Sequence, residues 1–375
     1  MTIRAEALFL GSEIYRGASY GAWHPLAIPR VSTVIDLARA LGWLPPERFR
    51  TSPRAKAAAL TAWHTPRYIA ALEAAEAAQQ VDDAIRARHG LGTTANPVFP
   101  EMFRRPATAA GGSILAGELL ADPGVVFNPG GGTHHGMPDR ANGFCYLNDA
   151  ALAILSLRRA GARRVAYVDI DAHHCDGVEH GFAKDTDVTL VSVHEERRWP
   201  FTGALTDRGA GRVWNLPVPR GFNDTEFTAV LDDLILPVVA EARPDAIVLQ
   251  CGADAVEEDP LSRLALSNRS HVRAAVALRA LAPRLLVLGG GGYNPWSVAR
   301  AWTAVWGALS GQEAPDRLPP EAAQVMAALP WPRKPGFVPP APWVTTLLDP
   351  PREGPIRDEV RGRIAALRAR AAAWA

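Results

Sequence analysis

Five short runs of aliphatic and β-branched residues constrain this chain most: VVFN at 125–128, VAYVDI at 165–170, VTLVSV at 188–193, AIVLQC at 246–251 and LLVLG at 285–289. None alternates apolar with polar residues, so each reads as a strand buried on both faces. Stretches at 106–121, 147–160, 224–242, 270–282 and 296–309 carry apolar residues at three- and four-residue spacing and read as helices. Buried strands separated by helices imply a mostly parallel sheet covered on both sides, an α/β fold of the three-layer αβα kind. In such sheets ligands bind beyond the carboxyl ends of the strands. Each of the polar clusters considered below falls there.

A chain of 375 residues, 48% hydrophobic and 21% charged, buries a full core without needing disulfide staples. Its 40 Lys+Arg nearly cancel 39 Asp+Glu, so no basic face is implied and nucleic acid is not expected as a partner. The opening run ALFLG is too short for a secretory leader, and no stretch approaches the ~18 apolar residues of a membrane helix. A cytoplasmic protein with no membrane partner is expected. Cys145, Cys175 and Cys251 show no CxxC spacing, which argues against a disulfide framework or a thiolate zinc site. Residues 52–80 read as two helices broken at AWHTPRY, with Thr65 as cap and Pro66 at the first helical position. From about 312 the chain is Pro-rich before an Arg/Ala helix at 356–374. The expected organisation is one domain over 1–310 and a wrapped extension over 311–375.

Four segments carry candidate chemistry. In VAYVDIDAHHCDG, Asp169, Asp171 and His173 stand at i, i+2 and i+4 and project the same way if the extended conformation persists. Buried together they are unfavourable unless a positive charge sits between them, and a divalent metal supplies one. A hydrogen-bonded polar cluster is the competing reading. In PGGGTHHG, the paired imidazoles of His134 and His135 on a glycine-rich loop suit proton transfer, with Asp169 and Asp176 as partners. A phosphate-binding reading fails because no Lys-Ser/Thr follows. In LQCGADAVEEDPL, Asp254 just past a strand end is available as a third ligand, although alone it reads as a helix cap. Two carboxylates and one imidazole leave a position open, as in catalytic zinc sites. In LLVLGGGGYNPW, the glycines bring the chain close to something and present Tyr293, whose hydroxyl can polarise a carbonyl.

PGGGTHHG, GFCYLND, DIDAHHCDG, LQCGAD and GGGGYN occur in this order. With them the chain resembles, from about residue 5 to 310, the zinc-dependent histone deacetylase family and its bacterial acetoin-utilisation and acetylpolyamine-amidohydrolase relatives. The resemblance implies a hydrolase that releases free amine and acetate from an acylated amine, whether acetyl-lysine in a protein, an acetylpolyamine or a small amide. It implies one Zn2+ held by Asp171, His173 and Asp254. His135 with Asp176 would be the general base and acid, His134 with Asp169 would support the developing charge, and Tyr293 would stabilise the oxyanion. Gly143, Phe144, Phe201 and Leu261 would line a substrate tunnel, and Arg30 an internal acetate channel. A structural K+ would be bound by backbone oxygens of Asp169, Asp171 and His173, by the Ser192 side chain and near the Val193 carbonyl. A homo-oligomer is compatible with the family.

Two positions depart from that pattern. Cys175 stands where relatives have glycine, either as a tolerated small residue or as a redox-sensitive thiol. Ala95 stands where many relatives place an aspartate at the tunnel rim, which weakens the case for protein substrates. Binuclear manganese ureohydrolases share the fold class but need a carboxylate where Cys175 lies. A catalytically silent acyl-ligand sensor is the other alternative.

Overall fold

Each of the five apolar runs is a strand, and three further strands complete the sheet. The computed structural model describes residues 6–17, 20–21 and 23–372. Its strands are β1 (Leu8–Gly11), β2 (Phe49–Thr51), β3 (Gly124–Asn128), β4 (Val165–Asp169), β5 (Val188–Glu195), β6 (Val213–Val218), β7 (Ala246–Gln250) and β8 (Arg284–Leu288). They form one eight-stranded sheet in the order β2-β1-β3-β8-β7-β4-β5-β6, with every neighbouring pair parallel.

The absence of polar alternation in the runs has its counterpart in two cores. Phe127, Val168, Leu249 and Val287 enter a core shared with the helices Val31–Ala40, Asn268–Leu278 and Pro295–Ser310. Their strand neighbours Val126, Tyr167, Val248 and Leu286 point the other way, against the helices Arg104–Leu119 and Asp149–Arg159. Successive strand residues alternate faces, so a strand with helices on both sides is apolar throughout.

The strands absent from the sequence reading have physical reasons to be weak signals. β1 and β2 span four and three residues, and β2 is half exposed at the sheet edge. β6 carries Asn215 and Pro217 and is tolerated because it is the other edge strand. The expected helix over 224–242 is interrupted by a π segment, Leu231–Ile235, before Pro237, which has no N–H to donate. Of the two helices expected within 52–80, the first is only Ala57–Leu60 and the second is Pro66–Ala78, with Thr65 accepting from the Tyr68 N–H. The final helix is described over Asp358–Ala372, and residues 373 and 374 of its expected span lie outside the described residues.

Residues beyond 310 pack into the first core through Leu318, Met326, Trp331, Leu347, Val360 and Leu367. A buried ion pair fastens them, Arg300 Nη1 to Asp349 Oδ1 at 2.6 Å, with both side chains at most 3% exposed. Removing one partner of such a pair leaves an uncompensated buried charge. Asp349→Ala is therefore expected to lower unfolding stability by about 3–5 kcal/mol in urea titration. A loss below about 1 kcal/mol, the level of an exposed pair, would show that this contact does not hold the extension.

The register sets up the site. Asn128, Leu288, Gln250, Asp169 and Ser192 lie in one row across β3, β8, β7, β4 and β5. The four central strands end on that row, so the loops that follow them emerge side by side.

Candidate active site

The loop after β3 is held by a buried carboxylate. Asp149 accepts from the Gly132 and Thr133 N–H groups at 3.1 and 2.7 Å and from the Ser113 hydroxyl at 2.6 Å. Gly132, at φ 93°, lies so close to the loop after β8 that a Cβ would come within 2.5 Å of the Gly290 nitrogen. The two glycine-rich loops thus meet backbone to backbone, which only a residue without Cβ permits.

This contact seats the paired histidines. His134 Nδ1 is 2.7 Å from Asp169 Oδ2, and the Tyr167 hydroxyl donates to the same oxygen at 2.6 Å. His135 Nδ1 is 2.6 Å from Asp176 Oδ1, whose other oxygen accepts from Asn142 Nδ2 at 3.0 Å. A carboxylate only accepts, so each imidazole carries its proton on Nδ1 there and leaves Nε2 free for exchange. The ring centroids are 3.9 Å apart. Burial disfavours the charged form of His134, but the Asp169 and Asp171 carboxylates outweigh it and raise its pKa to about 9. Burial and then the charge of His134 lower His135 to about 4, against the pull of Asp176. One imidazole thereby holds a proton and its neighbour is a free base, the separation expected of groups with distinct roles.

Asp171, His173 and Asp254 lie beside them, all buried, with donor atoms within 4.8 Å of one another. Their orientations are imposed by the backbone. Asp171 Oδ2 accepts from the Gly291 N–H at 2.7 Å and from Gln250 Nε2 at 3.0 Å, and Asp254 Oδ1 accepts from the Ala172 N–H at 3.0 Å. His173 Nδ1 faces both carboxylates, at 3.2 Å from Asp171 Oδ1 and 2.9 Å from Asp254 Oδ2. Burial, and then the Asp171 charge beside it, push the Asp254 carboxyl upward. Two carboxylates and an imidazole crowded in this way fit a divalent cation, which would relieve their repulsion.

The extended conformation does not carry through the motif as the sequence reading supposed. β4 ends at Asp169, whose Oδ1 turns back to accept the Asp171 N–H at 3.1 Å. Asp169 consequently serves His134, while Asp171 and His173 face Asp254. Asp254 lies in the short 3-10 turn Ala253–Ala255 rather than capping a longer helix. Ser192 sits in register beside Asp169, with its hydroxyl 2.9 Å from His194 Nδ1, and Val193 follows it on β5. Cys175 is buried in the core with Tyr167 and Leu190, and among the described residues the ligand group consists of Asp171, His173 and Asp254 without it. At 1% exposure its thiol is shielded from oxidants in solvent, which favours the tolerated small residue.

A cavity of about 720 Å3 opens onto this group, with His135, His173 and Tyr293 at its floor. Gly143, Phe144, Trp199, Phe201 and Leu261 form its walls. The Tyr293 hydroxyl has no protein partner among the described residues, and burial, followed by the charges of Asp254 and Asp171, raises its pKa well above the usual phenol range. It remains a donor. Its backbone is fixed by a 2.6 Å bond from its N–H to Asp259 Oδ2. Phe201 stands 74% exposed at the mouth. Arg30 lies behind the floor, in a separate space of about 40 Å3 shared with Tyr20, Leu26 and His134. Its Nη1 donates to the Gly290 carbonyl at 2.7 Å.

Three contributors were missed by the sequence reading. Trp199 packs edge-on against His135 with centroids 4.6 Å apart, and a Cβ on Gly143 would fall 2.1 Å from its ring. Asn142 orients Asp176, and Gln250 orients Asp171. Gln250 had a legible signal, a polar residue closing an otherwise apolar strand. Trp199 had none, because its loop is brought over the site only by the fold.

The family model "Histone deacetylase domain" matches residues 24–309. The chain is 32% identical over 330 residues to the acetoin utilization protein AcuC of Bacillus subtilis, covering 84% of this chain and 85% of that protein. It is 33% identical over 313 residues to human histone deacetylase 1, covering 80% of this chain but only 64% of that protein's length. The crystal structure of an HDAC homolog from Aquifex aeolicus superposes with a TM-score of 0.92 at 36% identity, covering 96% of this chain and 100% of that one. A homolog complexed with SAHA gives the same values. No described helix is long and apolar enough to cross a membrane. The length of the family match, together with these identities, establishes that the chain belongs to the histone deacetylase family.

Proposed function

We propose that this protein hydrolyses an acylated primary amine to the free amine and a carboxylate, using one zinc ion at Asp171, His173 and Asp254. The observation that carries this reading is the convergence of that buried ligand group with His135 and Tyr293 at the floor of one cavity. Zinc bound there would act as a Lewis acid on the acyl carbonyl and make a bound water more acidic. The chain's own residues supply the rest. His135 Nε2 takes a proton as the water oxygen attacks the acyl carbon, with Asp176 and Asn142 holding the ring in place. His134, kept protonated by Asp169, offsets the negative charge that develops. The Tyr293 hydroxyl donates to the carbonyl oxygen as it becomes an oxyanion. The C–N bond then breaks, and His135 returns the proton to the departing amine. No covalent acyl-enzyme is required.

The walls formed by Gly143, Phe144, Trp199 and Leu261 suit a slender apolar arm of the acyl-lysine kind. Arg30 behind the floor suits the released carboxylate. We also assign a structural potassium ion to the backbone oxygens of Asp169, Asp171 and His173, with Ser192 and Val193. Zinc-loaded protein is expected to release acyl groups from a panel of acyl-lysine peptides, acyl-polyamines and small amides. Failure to release acetate or a longer acyl group from every member would overturn the proposal.

A further inference from the structure

The cavity mouth is charged with one sign. Arg140, Arg197 and Arg198 line it, and among the described residues no aspartate or glutamate does. Arg198 is committed to the protein, its Nη2 donating to Glu195 Oε1 at 2.8 Å. The neighbouring Glu196 is likewise taken, by Arg363 at 2.8 Å. Arg140 and Arg197 are both exposed, and neither has an ion pair or side-chain hydrogen bond among the described residues. Arg197 lies on the loop after β5 together with Trp199 and Phe201, and all three line the cavity. The remaining polar rim groups, Thr93, Asn96 and Asn142, are neutral. At Ala95 a methyl group occupies the rim, and its backbone carbonyl is 3.2 Å from His24 Nε2.

Two free guanidiniums over a cavity with apolar walls attract anions and repel cations, because low-dielectric walls focus the field. Arginine also presents the fork geometry that binds a carboxylate through two parallel bonds. The near-neutral net charge of the whole chain conceals this local excess.

We infer that the preferred substrate is an acylated amine whose carrier bears carboxylate groups beside the acylated arm, gripped by Arg140 and Arg197, and that acyl-polyamines and lysine-rich tails are disfavoured. This rests on the hydrolase reading above and narrows it. The carboxylate has two sources, acidic residues flanking an acyl-lysine in a protein or the free α-carboxylate of a small acyl-amino acid.

The test compares kcat/KM within one scaffold. Terminally blocked acetyl-lysine peptides with Glu, Ala or Lys at both flanks form one arm. Nα-blocked acetyl-lysine with its α-carboxylate free or amidated forms the second, and acetylspermidine is measured beside them. At low ionic strength the Glu-flanked peptide is expected to exceed the Lys-flanked one by about 10-fold or more, chiefly through KM, with the ratio shrinking as salt screens the rim. An advantage confined to the free α-carboxylate assigns the small-molecule source. R140E/R197E should reverse the preference, and R140K/R197K should keep its sign. Because each ratio is internal to one variant, partial loss of folded protein does not affect it. A ratio below about 3-fold in both arms, a preference for acetylspermidine, or an unchanged ratio in R140E/R197E overturns the inference while the hydrolase reading stands. No hydrolysis of any peptide, blocked acetyl-lysine or acetylspermidine sinks the hydrolase reading and this inference with it.

Discussion

Tyr293→Phe is expected to lower kcat by about 10²–10⁴ while KM changes little, the range found when a group acting only on developing charge is removed. The substitution deletes one oxygen and retains the ring, which packs edge-on against Phe144 at a centroid distance of 5.8 Å. The backbone bond from the Tyr293 N–H to Asp259 is untouched. Since the hydroxyl bonds to no described protein group, its removal orphans nothing, and thermal stability should be unchanged. The oxygen is therefore open to a ligand in the cavity. His135→Ala is expected to cause a loss of the same order, but with a different signature. It would remove the group proposed to take the water's proton and return it to the amine, and it leaves Asp176 with Asn142 as its remaining side-chain partner. Steady-state kinetics on one good substrate, with bound zinc measured in parallel, check both. Full turnover in either variant with zinc retained would overturn that residue's assigned role.

The convergence of the candidate residues was legible in the sequence because they stand within a few positions of strand ends that long apolar runs made recognisable. β4 and β7, buried on both faces, announce where the chain must turn, and Asp169, Asp171, His173 and Asp254 follow within a few residues. Edge strands carry no such constraint, and β2 and β6 were accordingly invisible. The division of labour between Asp169 and Asp171 was equally hidden. It depends on the chain leaving the strand at Asp169, a turn set by a side-chain bond to the Asp171 N–H and not by any periodicity. Arg140 and Arg197 lay in separate segments with no shared motif. Only the placement of the loop after β5 over the loop after β3 brings their charges to one opening.

Gly291→Ala is expected to empty the ligand group of its metal as thoroughly as Asp254→Ala does, although it removes no ligand atom. Gly291 has no positive φ, so alanine is conformationally acceptable there and strain does not enter. The added methyl would lie 2.1 Å from Asp254 Oδ2 and 2.9 Å from Asp171 Oδ2, well inside van der Waals contact. Side-chain ends often swing aside, but these two are pinned. Asp171 is held by Gln250 and by the N–H of Gly291 itself, and Asp254 by the Ala172 N–H. Any movement that relieves the clash carries a carboxylate away from the other two donors. Disturbing the groups that orient a ligand typically lowers metal affinity by about 10–100-fold, and displacing the ligand itself should exceed that. Metal content by mass spectrometry after dialysis should fall from about one zinc per chain to a small fraction of that in both variants. Zinc retained at the wild-type level in Gly291→Ala would show that the carboxylates yield without loss. Two manganese ions per chain in the wild type would instead restore the binuclear ureohydrolase alternative, against the buried thiol of Cys175.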